Sequence, residues 1–162
     1  MLFRELARRL LAAKPKIPQK LPEFLIKKPT IGKITGNLDE VLPEEKRFYE
    51  ELRDLGNNVE VIQRGPGRTP DIRINGVPHE RKTVRRVQNT EPSRLSGSIS
   101  SRILDARGQA SNIIIDARSQ QGMNKNVAEE AIRRAYGADS RNGIDSITIL
   151  TPDGPVFAPR RP

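Results

Sequence analysis

Two short runs of alternating apolar and polar residues, Asp71–Ile74 and Val77–Lys82, flank Asn75-Gly76. Alternation with period two marks a half-buried strand. Asn-Gly between two such runs marks a hairpin, because both central residues of a type I′ turn need φ > 0. With Asn75 and Gly76 as the loop, Ile74 faces Val77, Arg73 faces Pro78, Ile72 faces His79 and Asp71 faces Glu80. Ile72, Ile74 and Val77 then point into a core, while Asp71, Glu80 and Lys82 share the opposite face.

The same reading places the other elements. Pro43 to Leu55 is a helix: Pro43 suits its first turn, Glu44 and Glu45 favour the positive end of the dipole, and Gly56 stops it. Phe48, Leu52 and Leu55 form its buried stripe, with Tyr49 at the edge. Asn57-Asn58 turns the chain into a strand over Val59–Gln63, and Gly65-Pro66-Gly67 is a loop ahead of the hairpin. Ser93–Arg107 is a helix with Leu95, Ile99, Ile103 and Ala106 on one side. Asn112–Ala117 contains the continuous run Ile113-Ile114-Ile115, as in a strand buried on both faces. Asn126–Tyr136 is a helix stopped by Gly137, and Ile144–Leu150 a last strand ended by Pro152-Asp153-Gly154. The order is helix, three strands, helix, strand, helix, strand. It predicts an α/β (α+β) fold, a mixed central sheet with helices on both faces.

Ahead of this domain, Met1–Ala13 reads as a short amphipathic helix, with Leu2, Leu6 and Leu10 on one side and Arg4, Arg8 and Arg9 on the other. It is too short and too charged for a signal peptide. Lys14–Leu42 is broken by Pro15, Pro18, Pro22 and Pro29 and reads as an extended arm, with Glu23–Ile26 a small docking element. Residues 1–42 are thus a helix and linker that offer a route to a homodimer. Residues 43–162 are the compact domain, with a loose C-terminal tail.

Charge narrows the partners. Lys and Arg outnumber Asp and Glu by 29 to 20. That favours a polyanion, and nucleic acid before membrane, since no apolar run reaches the roughly 18 residues of a span. Aromatic residues are 4% of the chain with no Trp, so platforms for stacking bases are scarce. The absence of cysteine excludes disulfides and thiolate zinc sites, and a single histidine excludes a multi-histidine metal site.

The candidate chemistry lies on the polar face of the hairpin. Asp71 and Glu80 form a non-hydrogen-bonded pair, with Cα atoms roughly 4.5 Å apart. Like charges that close need a shared proton, a cation or a metal to offset them. Two carboxylates beside an ammonium make a site for a hard cation that handles water or phosphate. His79 could serve as a general base for metal-free RNA cleavage, but its register opposite Ile72 favours a structural role.

Pro70-Asp71, the tight hairpin and Glu80-Arg81-Lys82 together resemble the signature of the PD-(D/E)XK nuclease superfamily. Residues 43–117 also follow that fold's αβββαβ order. Residues 44–154 resemble more narrowly the tRNA nuclease toxin domain at the C-terminus of CdiA-type contact-dependent growth-inhibition proteins. That resemblance rests on Glu45 and Gly56 of the opening helix, Pro70-Asp71, Glu80 with Lys82, and Gly108-Gln109 running into Ile113–Ile115. It implies cleavage of tRNA in the cytoplasm of a target bacterium and neutralisation by a cognate immunity protein. The implied metal is Mg²⁺ (or Mn²⁺ or Zn²⁺), held by Asp71, Glu80 and the backbone carbonyl of Arg81. Lys82 is implied to act on the nucleophile or the transition state, and Glu45 to support the site. Arg85, Arg86, Arg94 and Arg102 would clamp substrate phosphates, and Gln109 would orient Lys82 or touch a base. A DNA endonuclease of the same fold and a non-catalytic nucleic-acid-binding protein are the alternatives.

Overall fold

Three consecutive isoleucines set the centre of the sheet. Ile113, Ile114 and Ile115 are all fully buried, and each contributes roughly 1.5–3 kcal/mol by leaving water. Ile113 and Ile115 pack into one apolar cluster and Ile114 into another, because successive strand side chains point to opposite faces. The strand that carries them, β5 (Asn112–Asp116), therefore needs cover on both sides.

The computed structural model describes residues 20–160. They form a seven-stranded mixed sheet whose strands lie side by side in chain order. Strand β1 is Ile34–Gly36, β2 Val59–Val61, β3 Ile72–Ile74, β4 Val77–Thr83, β6 Ser146–Thr151 and β7 Gly154–Pro159. The pairs β1–β2, β4–β5 and β5–β6 are parallel, and the pairs β2–β3, β3–β4 and β6–β7 are antiparallel. Helix α1 (Pro43–Asp54) covers one face with Phe48, Tyr49 and Leu52. Helices α2 (Pro92–Ala106) and α3 (Lys125–Ala138) cover the other. They carry the β4–β5 and β5–β6 crossovers on one side of the sheet, while α1 carries the β1–β2 crossover on the other. The mixed sheet with helices on both faces is the architecture the sequence pattern predicts.

The helix starts obey local chemistry. Pro43 opens α1 and Pro92 opens α2. The Glu91 carboxylate accepts from the N–H groups of Ser93 and Arg94 at 3.1 and 3.0 Å, and the Asn124 side chain accepts from Val127 at 2.9 Å. The hairpin turn adopts φ of 51° at Asn75 and 83° at Gly76, and its register is the predicted one: Ile74 with Val77, Arg73 with Pro78, Ile72 with His79.

Several expectations are corrected. Residues 20–42, read as an extended arm, dock on the domain well beyond the small docking element expected at Glu23–Ile26, which does dock. A 3₁₀ turn at Glu23–Leu25 buries Phe24, and β1 extends the sheet. The fully buried Asn57 holds this segment in place. Its amide donates to the Phe24 and Leu52 carbonyls at 2.7 and 2.9 Å, and its oxygen accepts from Lys28 and Asn75 at 3.0 and 2.9 Å. Tyr49 is buried rather than at the edge. Val77, expected in the core, is 46% exposed at the hairpin tip, beyond the apolar cover that reaches its partner Ile74. Gly137 does not stop α3, which runs on to Ala138. Pro152-Asp153-Gly154 is a hairpin turn, and the tail read as loose returns as β7, burying Val156 and Ala158. The expected helix Met1–Ala13, the start of the arm and any dimer contact through them lie outside the described residues. Among the described residues no helix is long and apolar enough to cross a membrane.

Candidate active site

Alternation along β4 decides what each side chain sees. His79 and Arg81 point towards α1, and Glu80 and Lys82 towards the α2 side, where their strand partners Ile113 and Ile115 lie. Glu80 is 1% exposed, and Lys82, nearer the strand end, is half-buried. The Lys82 ammonium stands 3.0 Å from Glu80 Oε1 and donates to Gln109 Oε1 at 3.2 Å. Gln109 follows the end of α2, so that helix fixes the amide that orients the lysine.

Asp71 immediately precedes β3. Its Oδ2 accepts a hydrogen bond from the backbone N–H of Arg81 at 3.3 Å. A strand residue directs its N–H and C=O to the same side. The Arg81 carbonyl therefore points beside Asp71 as well, beyond the end of β3. The next residue outward on that side is Pro70, which has no N–H to offer it.

The electrostatics follow from burial and crowding. Burial, and then the negative charge of Asp71, push the Glu80 carboxyl up to about 7, against the opposing pull of Lys82. Glu80 Oε2 is buried and has no hydrogen-bond partner. A buried carboxylate oxygen without a partner is costly, and a bound cation is one group that would satisfy it. Two carboxylates and a carbonyl are hard oxygen donors, the set that suits Mg²⁺ or Mn²⁺.

Glu45, in the first turn of α1, lines the same open cleft, whose volume is about 450 Å³. It accepts from the Tyr49 hydroxyl at 3.5 Å and lies 3.9 Å from Arg64. It does not complete a set of three ligands: among the described residues no three Asp, Glu or His side chains are arranged around a common ion. Glu45 is thus a wall residue of a two-carboxylate site.

The predicted arginines separate. Arg85 does not line this cleft but contacts Glu44, which does. Arg86, Arg94 and Arg102 are exposed and do not line this cleft. His79 is buried, with its ring edge-on to Phe24 at 5.3 Å and Nδ1 2.8 Å from the Val77 carbonyl oxygen. Burial lowers its pKa, against the opposing effect of the hydrogen bond with the Val77 carbonyl. It packs on the apolar face, as its register predicts.

The side chain of Arg81 is a feature the sequence reading passed over. It is 4% exposed, lies 4.8 Å from the Phe48 ring and donates to Asp116 at 3.1 Å and to Thr83 at 3.0 Å. Burial raises the Asp116 pKa, but hydrogen bonds from Arg118 and the charges of Arg118 and Arg81 outweigh it and hold the carboxyl below its usual value. The available signal was a lone acid closing an otherwise apolar strand, two residues before an arginine.

A family model for the contact-dependent growth inhibition CdiA C-terminal domain matches residues 68–156. The match takes in Asp71, Glu80, Lys82 and Gln109, and begins after α1. Among solved structures, the chain is similar to a CdiA-CT/CdiI toxin and immunity complex from Burkholderia pseudomallei. Identity is 13% and the TM-score 0.47, over 80% of this chain and 99% of that one. Among curated proteins none matches. The family match spans more than half of the chain, and the chain belongs to the contact-dependent growth inhibition CdiA C-terminal domain family, a family of toxin domains.

Proposed function

We propose that this toxin domain is a metal-dependent endonuclease of the PD-(D/E)XK type that cleaves RNA, tRNA foremost, in the cytoplasm of a target bacterium. The observation that carries this is the meeting of Asp71, Glu80 and Lys82 at one cleft, with a buried Glu80 oxygen left unpaired. The choice of RNA over DNA rests on the sequence resemblance to tRNA nuclease toxin domains, because a phosphodiester presents the same charged centre in both.

Asp71, Glu80 and the Arg81 carbonyl would hold Mg²⁺ or Mn²⁺. When bound, the ion polarises the scissile phosphate and lowers the pKa of a coordinated water. The protein's own groups do the rest. Lys82, held by Glu80 and Gln109, presents N–H donors into the cleft, where they orient the attacking water and stabilise the charge that grows on the phosphoryl oxygens. Gln109 acts through Lys82 by fixing its position. Glu45 and Arg64 form the far wall. Hydrolysis forms one P–O bond to the water oxygen and breaks the P–O bond to the leaving ribose oxygen, which takes up a proton. A nuclease of this kind would poison the cell that makes it, so a cognate immunity protein is the expected partner.

The test is electrophoresis of total RNA and plasmid DNA after exposure to wild-type protein and to Glu80→Gln. Wild type is expected to cut RNA in the presence of Mg²⁺ and to stop when EDTA is added. Cutting of plasmid alone would move the substrate to DNA. Equal cutting by both proteins would remove Glu80 from the mechanism.

A further inference from the structure

A second cleft, of about 270 Å³, opens between α1 and the segments that follow β4 and β5. Glu44, Arg47 and Glu51 lie at i, i+3 and i+7 on α1 and so project from one side of the helix. Arg85 comes from the segment after β4 and Arg118 from the segment after β5. The buried pair Arg81–Asp116 lies between them.

The ion pairs here are of two kinds. Arg81 and Asp116 are 4% and 12% exposed and are fixed. Arg85 touches Glu44, and Arg118 reaches Glu51 at 2.9 Å through side chains that are 31–52% exposed, while Nε and Nη2 of Arg118 stay on Asp116 at 3.0 and 2.9 Å. Exposed pairs of this sort are worth at most about 1 kcal/mol, so a phosphate can displace the carboxylates. Arg47 is exposed, and has no ion-pair partner among the described residues. An arginine fork matches a phosphate through two parallel N–H donors. Glu44, Arg81 and Thr83 line both this cleft and the one that holds Asp71 and Glu80, so the two are continuous.

We infer that this second cleft is a phosphate subsite for nucleic acid, in which Arg47, Arg85 and Arg118 grip a backbone phosphate on the strand whose neighbouring phosphodiester lies at Asp71 and Glu80. The inference rests on the nuclease reading of the first cleft. With aromatics at only 4% of the chain, grip on the backbone replaces stacking on bases, and this cleft sets position along the strand rather than sequence.

The test uses Glu80→Gln protein in EDTA, so that nothing is cut, and a short fluorescently labelled single-stranded RNA. Arg47→Ala and, separately, Arg118→Gln are added to that background. The comparison is Arg133→Ala, which removes the same charge from α3 across the sheet. Binding is expected to weaken roughly tenfold for Arg47→Ala, with the slope of log affinity against log salt shallower by about 0.7. Arg133→Ala should leave affinity and slope near the starting values. Arg118→Gln tests the second side of the cleft, and a thermal scan of each variant confirms that it is folded; Arg47 is exposed, so its replacement keeps the test alive if Arg118→Gln unfolds. Equal weakening by Arg47→Ala and Arg133→Ala, or none by either, overturns the subsite and leaves the nuclease reading in place if wild type cuts RNA. No RNA bound by the Glu80→Gln protein and no cutting by wild type would remove the nuclease reading, and the subsite with it.

Discussion

The clefts on the two sides of β4 differ in the balance of their charges. One is lined by the carboxylates of Glu44, Glu45, Asp71 and Glu80 against Arg64, Arg81 and Lys82. The other sets Arg47, Arg81, Arg85 and Arg118 against Glu44, Glu51 and Asp116. A phosphate approaching the first meets the Asp71 and Glu80 carboxyls, whose negative charge, once Glu80 has lost its proton, a divalent cation would offset. A phosphate approaching the second meets a surplus of guanidinium and needs no ion. Strand alternation is what makes this division: Glu80 and Lys82 on one face, Arg81 on the other, from three consecutive residues. If the proposed roles hold, bond cleavage and strand retention should be separable by mutation.

The largest effect tests that separation. Asp71→Asn and Glu80→Gln should each lower cleavage by more than about a hundredfold, the scale set by losing charge stabilisation of a transition state. Both should keep RNA affinity in EDTA. Arg47→Ala should do the reverse, raising the KM for RNA while kcat stays near wild type. Parallel losses of kcat and affinity in all three would merge the two clefts into one.

Stability divides along the same line. Asp116→Ala strands the buried Arg81 guanidinium and should cost about 3–5 kcal/mol in urea unfolding. Glu51→Ala removes only an exposed partner of Arg118 and should cost less than about 1 kcal/mol. Similar losses for the two would contradict the distinction between fixed and exchangeable pairs.

Glu80 links the first cleft to pH. Its carboxyl is raised from 4.5 to about 7 in the folded protein. Stability from a raised group is present below the unfolded value and lost as pH rises through the folded one. In EDTA, Glu80→Gln should therefore match wild type near pH 4.5 and exceed it at pH 8, by on the order of 2 kcal/mol. A constant difference from pH 4.5 to 8 would mean that Glu80 is not held protonated. The smallest effect belongs to the second cleft: Glu51→Gln frees Nη1 of Arg118, whose Nε and Nη2 stay on Asp116, and should tighten RNA binding about twofold to fivefold.

What could be read from the sequence was what is set locally. Asn75-Gly76 gave the hairpin and its register because a two-residue turn leaves one way to pair the flanking strands. Parity along β4 then put Glu80 and Lys82 on one side of the sheet and His79 on the other, and the isoleucine run marked the strand covered on both faces. Strand β1 was not legible: it is three residues long with a single isoleucine, and its place comes from pairing with β2 and from the reach of Asn57 to Phe24. Pro152-Asp153-Gly154 was read as an end when it is a turn, since either role uses the same residues. The partners of Arg81 were hidden for a third reason. Asp116 is 35 residues away and only the parallel pairing of β4 with β5 brings it near. Of the arginines picked for substrate, only Arg85 lies at either cleft, because spacing in sequence says nothing about which side of the sheet a loop returns to.

The claim that matters most is that Asp71 and Glu80 share one divalent ion, and calorimetric titration of Mn²⁺ into the protein tests it without any substrate. The account expects one ion per chain, binding that strengthens from pH 6 to pH 8 as Glu80 gives up its proton, and loss of that binding in both Asp71→Asn and Glu80→Gln. Equal Mn²⁺ binding by wild type and both variants would contradict it.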